Sequence, residues 1–207
     1  MLIGSPPLRV YITGVSGAGK STLARRIGAA FDLPVYHLDE VARDLLTGQR
    51  RSHDERLAMV AAIAATPCWV AEGVQTGWTD ELCERAELIV WLDQLAGSQA
   101  MIRIARRFTR QAFLEFRRQR GRRRFLRVRS YAHHTREFLR SLREVRAFNR
   151  GAPGENVGDG GNRAATAAQL GRHRAKVVQC RTAAHIEDLL LSIEAVRPPR
   201  RDVPGPT

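Results

Sequence analysis

Apolar residues along this chain come in short continuous runs. Between them lie stretches with an apolar residue every third or fourth position, so strands buried on both faces are expected to alternate with amphipathic helices. LRVYIT, Leu8 to Thr13, is the first run, a strand rich in Val10, Tyr11 and Ile12. STLARRIGAAF then carries Leu23, Ile27 and Ala30 on one helix face. A second short strand, Pro34 to Leu38, ends in Asp39 and Glu40. Ser52, with Glu55 three residues on, is a capping box. The helix it opens has Leu57, Val60, Ala61 and Ala64 as its predicted buried face and stops at Thr66-Pro67. Cys68 to Gly73 reads as a third strand, apolar until Glu72. A short helix from Thr79 to Arg85 precedes a fourth strand, Glu87 to Leu92, with Asp93 after it. Lys176 to Cys180 is a fifth, and Thr182 caps a last helix carrying Ile186, Leu189, Leu190 and Ile193. This alternation predicts an α/β fold with a parallel sheet.

The interval between the fourth and fifth strands is long. Ile102, Ala105, Phe108, Ala112 and Phe116 make one helical stripe after Ser98; Phe138, Leu142 and Val145 make another within Tyr131 to Phe148. Both read as packing faces. Residues 151–173 have no periodicity, and six glycines fall between Gly151 and Gly171, so a flexible surface loop is expected there. The predicted organisation is one domain over 1–197, including a basic helical segment at 98–150, followed by a disordered tail at 198–207.

Composition refines this picture. With 207 residues, 43% of them hydrophobic, the chain has enough apolar mass for one real core. No apolar run approaches the ~20 residues of a membrane span, and MLIGSPPLRV lacks the charged start and apolar stretch of an export signal. Cys68, Cys83 and Cys180 are odd in number and widely spaced, which fits neither a disulfide framework nor a zinc cluster. A soluble cytoplasmic protein without a membrane partner is expected. The net charge of +13 is concentrated in one place: residues 103–150 hold 17 Arg against Glu115, Glu137 and Glu144. Lys20 and Lys176 are the only lysines, so part of the arginine excess reflects base composition, and Lys20 stands out.

Lys20 lies in GVSGAGKST, residues 14 to 22, which fits G-x-x-x-x-G-K-[ST] between a strand and a helix, the context that motif requires. Gly14, Ser16, Gly17, Ala18, Gly19, Lys20, Ser21 and Thr22 are the predicted nucleotide-binding residues. Glycines let the backbone approach phosphates, the helix start aims N–H groups at the anion, and Ser21 is placed to hold magnesium. ATP and Mg2+ are the expected ligands.

With these residues in view, the chain resembles the P-loop kinases of the adenylate kinase and shikimate kinase kind, and most closely the DNA topology modulation, or FlaR-like, proteins. The matching marks are GVSGAGKST, HLDE at Asp39, WVAEGV at Glu72, and LIVWLDQ followed by Arg103-Ile104-Ala105-Arg106-Arg107. The resemblance implies a P-loop NTPase fold, a five-stranded parallel sheet of order 2-3-1-4-5, with residues 98–150 as a lid-like insertion. It puts Glu72 beside the loop as a metal-side or proton-accepting acid, against the plainer reading of a capping acid. It implies that Gly73 lets substrate approach and that Asp39 meets the acceptor, where simple solvation of a loop acid is the alternative. Asp93 looks locally like a metal-side acid, but the family pattern makes it structural. Arg103 and Arg107 would neutralise charge on the transferred phosphoryl group. No arginine follows Gly73 within Val74, Gln75 and Thr76, a departure from nucleoside monophosphate kinases that points to a small acceptor other than a nucleotide. Trp78 reads as core. The sequence therefore predicts a magnesium-dependent phosphotransferase acting on ATP and a small-molecule or nucleotide acceptor. The alternative is a nucleic-acid-associated ATPase that uses Arg103 to Arg150 on a phosphate backbone.

Overall fold

The computed structural model describes residues 8–44, 46–93 and 161–195, together with the helical residues Leu139, Arg143, Val145 and Phe148. The predictions that fall on Arg103, Arg107, most of the 98–150 segment, 151–160 and the tail lie outside the described residues.

Five strands form one parallel sheet in the order β2-β3-β1-β4-β5. They are β1 (Arg9–Gly14), β2 (Val35–His37), β3 (Trp69–Glu72), β4 (Leu88–Leu92) and β5 (Val177–Cys180). The helices are α1 (Lys20–Phe31), the short α2 (Leu38–Val41), α3 (His53–Ala65), α4 (Asp80–Arg85), α5 (Arg163–Gly171) and α6 (Ala183–Ala195).

The pleat sends alternate residues to opposite faces, and both faces are covered. Val10, Ile12, Val70, Val90 and Leu92 pack with Leu23 and Ile27 of α1, Leu189 and Leu190 of α6, and Val145 and Phe148. Their strand neighbours Tyr11, Trp69, Ala71, Ile89 and Trp91 pack on the other face with Val60 and Ile63 of α3, Leu82 of α4 and Leu170 of α5. This two-sided burial is why the strands read as unbroken apolar runs rather than alternating ones.

Most predicted elements are present with ends shifted by a residue or two. Three differences carry physical content. The second strand stops at His37, so Asp39 lies in the first turn of α2 rather than at a strand end. The capping box of α3 forms as expected, Ser52 Oγ accepting from the Glu55 N–H while Glu55 accepts from the Ser52 N–H. The buried face, however, is Arg56, Val60, Ile63 and Ala64, and Leu57 is exposed. Arg56 is buried because its guanidinium lies 5.4 Å from the centroid of the buried Trp78 ring and its Nε donates to the Ser52 carbonyl.

The loop expected over 151–173 is corrected for residues 163–171, which are helical. Asn162 Oδ1 accepts from the Ala165 N–H at 2.8 Å, and the buried side of α5 is Thr166, Gln169 and Leu170. A buried face made mainly of polar groups has no apolar repeat to find.

Candidate functional site

β1 ends at Gly14, and the chain turns through Val15 to Gly19 before α1 begins at Lys20. Gly14, Gly17 and Gly19 have φ of 144°, 80° and 100°, a region that L side chains rarely adopt. Gly14 has a second reason: a Cβ there would sit 2.5 Å from the Leu92 carbonyl oxygen of the neighbouring strand. The Ala18 N–H closes the loop onto the Val15 carbonyl, and the Ala18 methyl is buried in the core. Lys20 Nζ folds back and donates to the same Val15 carbonyl at 3.1 Å. No acidic residue occupies the first turn of α1, so its N-terminal dipole carries no carboxylate of its own. Ser16 and Ser21 are half-buried and Thr22 is exposed at this rim.

Parallel register places the last residues of β2 and β3 side by side, His37 opposite Glu72, while Ile12 of β1 flanks Glu72 on its other side. Glu72 is 7% exposed. Ser21 Oγ donates to Glu72 Oε1 at 2.7 Å, and His37 Nδ1 lies 2.7 Å from the same oxygen. The two residues predicted to share a metal are therefore in direct contact.

Asp39 is exposed and accepts a hydrogen bond from Gln75 Nε2 at 3.3 Å. It lies in the first turn of α2, two residues past the end of β2. Gly73 has a packing role: a Cβ on it would meet Leu38 Cβ at 2.8 Å, and its carbonyl accepts from the Tyr11 hydroxyl. Close approach at Gly73 is thus to α2. Burial, followed by the nearby Cys83, raises the Tyr11 pKa, so this hydroxyl stays protonated and donating.

Asp93, beyond β4, is 3% exposed and fully engaged. Arg163 donates from Nε to Oδ1 and from its terminal amine to Oδ2, both at 2.8 Å; Gln179 Nε2 donates to Oδ2 at 2.7 Å. Hydrogen bonding to Asp93 raises the Arg163 pKa, and the guanidinium lies 5.8 Å from the centroid of the Trp91 ring. The structural role expected of Asp93 is observed, and its partners hold α5 against the ends of β4 and β5. At the far end of α5, Gln169 Nε2 donates to Asp80 Oδ1 at 2.9 Å.

Sequence reasoning missed His37, Gln75 and Arg163. His37 had a usable signal, since strands predicted as neighbours place their last residues together. Arg163 had none, being 70 residues from its partner.

Magnesium at a phosphate site needs only one or two protein oxygens, the rest coming from water and phosphate. Ser21 and Glu72 fit that demand. Among the described residues no group of three or more His, Cys, Asp or Glu forms a protein-only metal cage. No helix among them is long and apolar enough to cross a membrane.

Sheet order, glycine loop and the helix that follows define an α/β P-loop NTPase fold. A family profile described as an AAA domain matches residues 9–107. No curated protein matches the chain. Among solved structures, a gluconokinase from Sinorhizobium meliloti is similar, with 18% identity, 92% of this chain and 91% of that one covered, and a TM-score of 0.42. A shikimate kinase from Acinetobacter baumannii in complex with shikimate is similar at 14% identity, with 92% and 95% covered and a TM-score of 0.44. An uncharacterized protein from Eubacterium ventriosum gives 12%, 92%, 99% and 0.42 in the same order. The fold assignment rests on the sheet order and the loop geometry.

Proposed function

We propose that this protein is an ATP-dependent phosphotransferase of the small-molecule kinase kind, with Mg2+ bound alongside ATP and with the FlaR-like proteins as its kin. The observation that supports this best is the 2.7 Å contact between Ser21 and Glu72, which joins the hydroxyl of the glycine loop to a buried acid on the adjacent strand. A phosphate-binding loop needs no such acid merely to turn a chain.

The loop amides and the start of α1 receive the phosphates, with Gly14, Ser16, Gly17, Ala18, Gly19 and Thr22 forming the rim. Lys20 exchanges its bond to the Val15 carbonyl for phosphate oxygens, so it is held near the site before ligand arrives. Ser21 and Glu72 are the residues that would hold magnesium, whose chemistry is to neutralise charge on the phosphates. In the transfer, an acceptor hydroxyl forms a bond to the terminal phosphorus as the bond to the bridging oxygen breaks and ADP leaves. If Glu72 does not hold the metal, its alternative role is to accept the hydroxyl proton; Asp39, bonded to Gln75, would orient the acceptor. Arg103 and Arg107 complete the reading as cations for the transferred group.

The test is Lys20→Ala, whose side chain contributes little to the core. ATP affinity and turnover should fall sharply while circular dichroism is unchanged; undiminished binding and turnover would overturn the proposal. Thermal-shift screening of sugars, nucleosides and nucleotides with ATP and magnesium would find the acceptor.

A further inference from the structure

Two donors converge on one oxygen of Glu72. Ser21 Oγ and His37 Nδ1 both lie 2.7 Å from Oε1, and among the described residues nothing bonds Oε2. We propose that His37 is a positioning residue that fixes the Glu72 carboxylate independently of Ser21, leaving Oε2 as the oxygen that serves the ligand. This rests on the reading of Ser21 and Glu72 as the magnesium side of the site.

An ionised carboxylate only accepts hydrogen bonds, so the imidazole must carry its proton on Nδ1. Its place is set by backbone geometry, since His37 and Glu72 are register partners on parallel strands. Ser21 cannot do the same work alone. Its hydroxyl oxygen is the atom the metal requires, so its orientation changes with the ligand. A carboxylate held by Ser21 only would be free to turn as that hydroxyl reorients. With His37 in place, one oxygen stays anchored at the sheet edge in both states. Partners that orient a ligating group typically contribute about 10–100-fold to metal affinity.

Side-chain geometry provides a discriminating series. Asn at position 37 can offer its amide nitrogen near the place of Nδ1, whereas Gln carries it one bond further, near the reach of Nε2. ADP binding is measured by calorimetry with and without magnesium for the parent, His37→Ala, His37→Asn and His37→Gln. The magnesium enhancement should fall about 10-fold or more in the Ala and Gln proteins and be largely restored in the Asn protein, with metal-free ADP affinity the same in all four. A readout without metal accompanies it: long-range 1H–15N spectra of the ligand-free protein should show a single His37 tautomer protonated on Nδ1, lost in Glu72→Ala.

Equal enhancement in all four proteins, Asn as poor as Ala, or a parallel loss of metal-free affinity would overturn the role of His37 alone. A His37 tautomer indifferent to Glu72→Ala would do the same. If the parent binds ADP no better with magnesium, the phosphotransferase reading falls, and the role of His37 falls with it.

Discussion

Glu72 ends β3 and Asp93 directly follows β4, the two strands that flank β1 and its phosphate loop, and both acids are almost wholly buried. Each follows an apolar run, WVAE and IVWLD, and by local pattern either would serve as the acid of a nucleotide site. Their surroundings differ. Both oxygens of Asp93 are taken by fixed donors, two from Arg163 and one from Gln179. Glu72 has two donors on one oxygen and, among the described residues, none on the other. A buried carboxylate with its acceptors matched is a structural clamp, because a ligand would have to displace partners whose loss costs desolvation. A buried carboxylate left half-matched retains capacity for a ligand. The contrast separates two acids that one local motif would treat alike.

The clamp can be broken directly. Arg163→Ala leaves Asp93 buried with Gln179 as its remaining partner and should cost about 2–3 kcal/mol in denaturant unfolding, less than a fully buried pair because the Arg163 side chain is 36% exposed. A cost under about 0.5 kcal/mol would show that Asp93 needs no clamp. Gly14 stands between the two acids, and Gly14→Ala should cost about 2 kcal/mol, from φ of 144° and the 2.5 Å approach to the Leu92 carbonyl, while also displacing the loop from phosphate. A stable variant with intact ADP binding would contradict this. Far from both corners, Ser52→Ala should remove about 1 kcal/mol through the α3 cap and leave nucleotide binding alone.

A pH effect follows from groups behind the Glu72 corner. Burial, then the charge of Asp80, pushes the Cys83 thiol from its ordinary 9.0 up to about 12, and burial raises Tyr11 as well. The folded state thus keeps protons that the unfolded chain releases. Their contribution to stability is whole below pH 9 and is lost as pH rises toward 12. Unfolding by urea at pH 8, 9.5 and 10.5 should show this decline, shallower in Cys83→Ala; a flat profile would contradict the burial account.

Much of this was legible in the sequence because it depends on near neighbours in the chain. The glycine loop, the capping box at Ser52 and Glu55, and the two-sided apolar strands each declare themselves within ten residues. Glu72 and Ser21 were legible as a pair only through family resemblance. α5 escaped because its buried face is Thr166, Gln169 and Leu170, which carries no apolar stripe, although Asn162 before RAATAAQL is a cap signal. The buried face of α3 was misread at Leu57 because Arg56 takes a buried place with its guanidinium over Trp78, and an apolar count cannot register a cation held by a ring contact. His37 was reachable only through the order of the strands, and Arg163 owes its role to a tertiary neighbour alone.

The most direct test of the contrast is a paired measurement on Glu72→Gln and Asp93→Asn, each changing one oxygen to an amide at constant size. ADP affinity with and without magnesium is set against the thermal midpoint. Glu72→Gln should lose the magnesium enhancement by about 10-fold or more and melt close to the parent. Asp93→Asn should keep the enhancement and melt several degrees lower, at roughly 2–4 °C per kcal/mol for a chain of this size. The opposite pattern, a destabilised Glu72→Gln with intact magnesium response beside a stable Asp93→Asn without one, would contradict the assignment of the two acids.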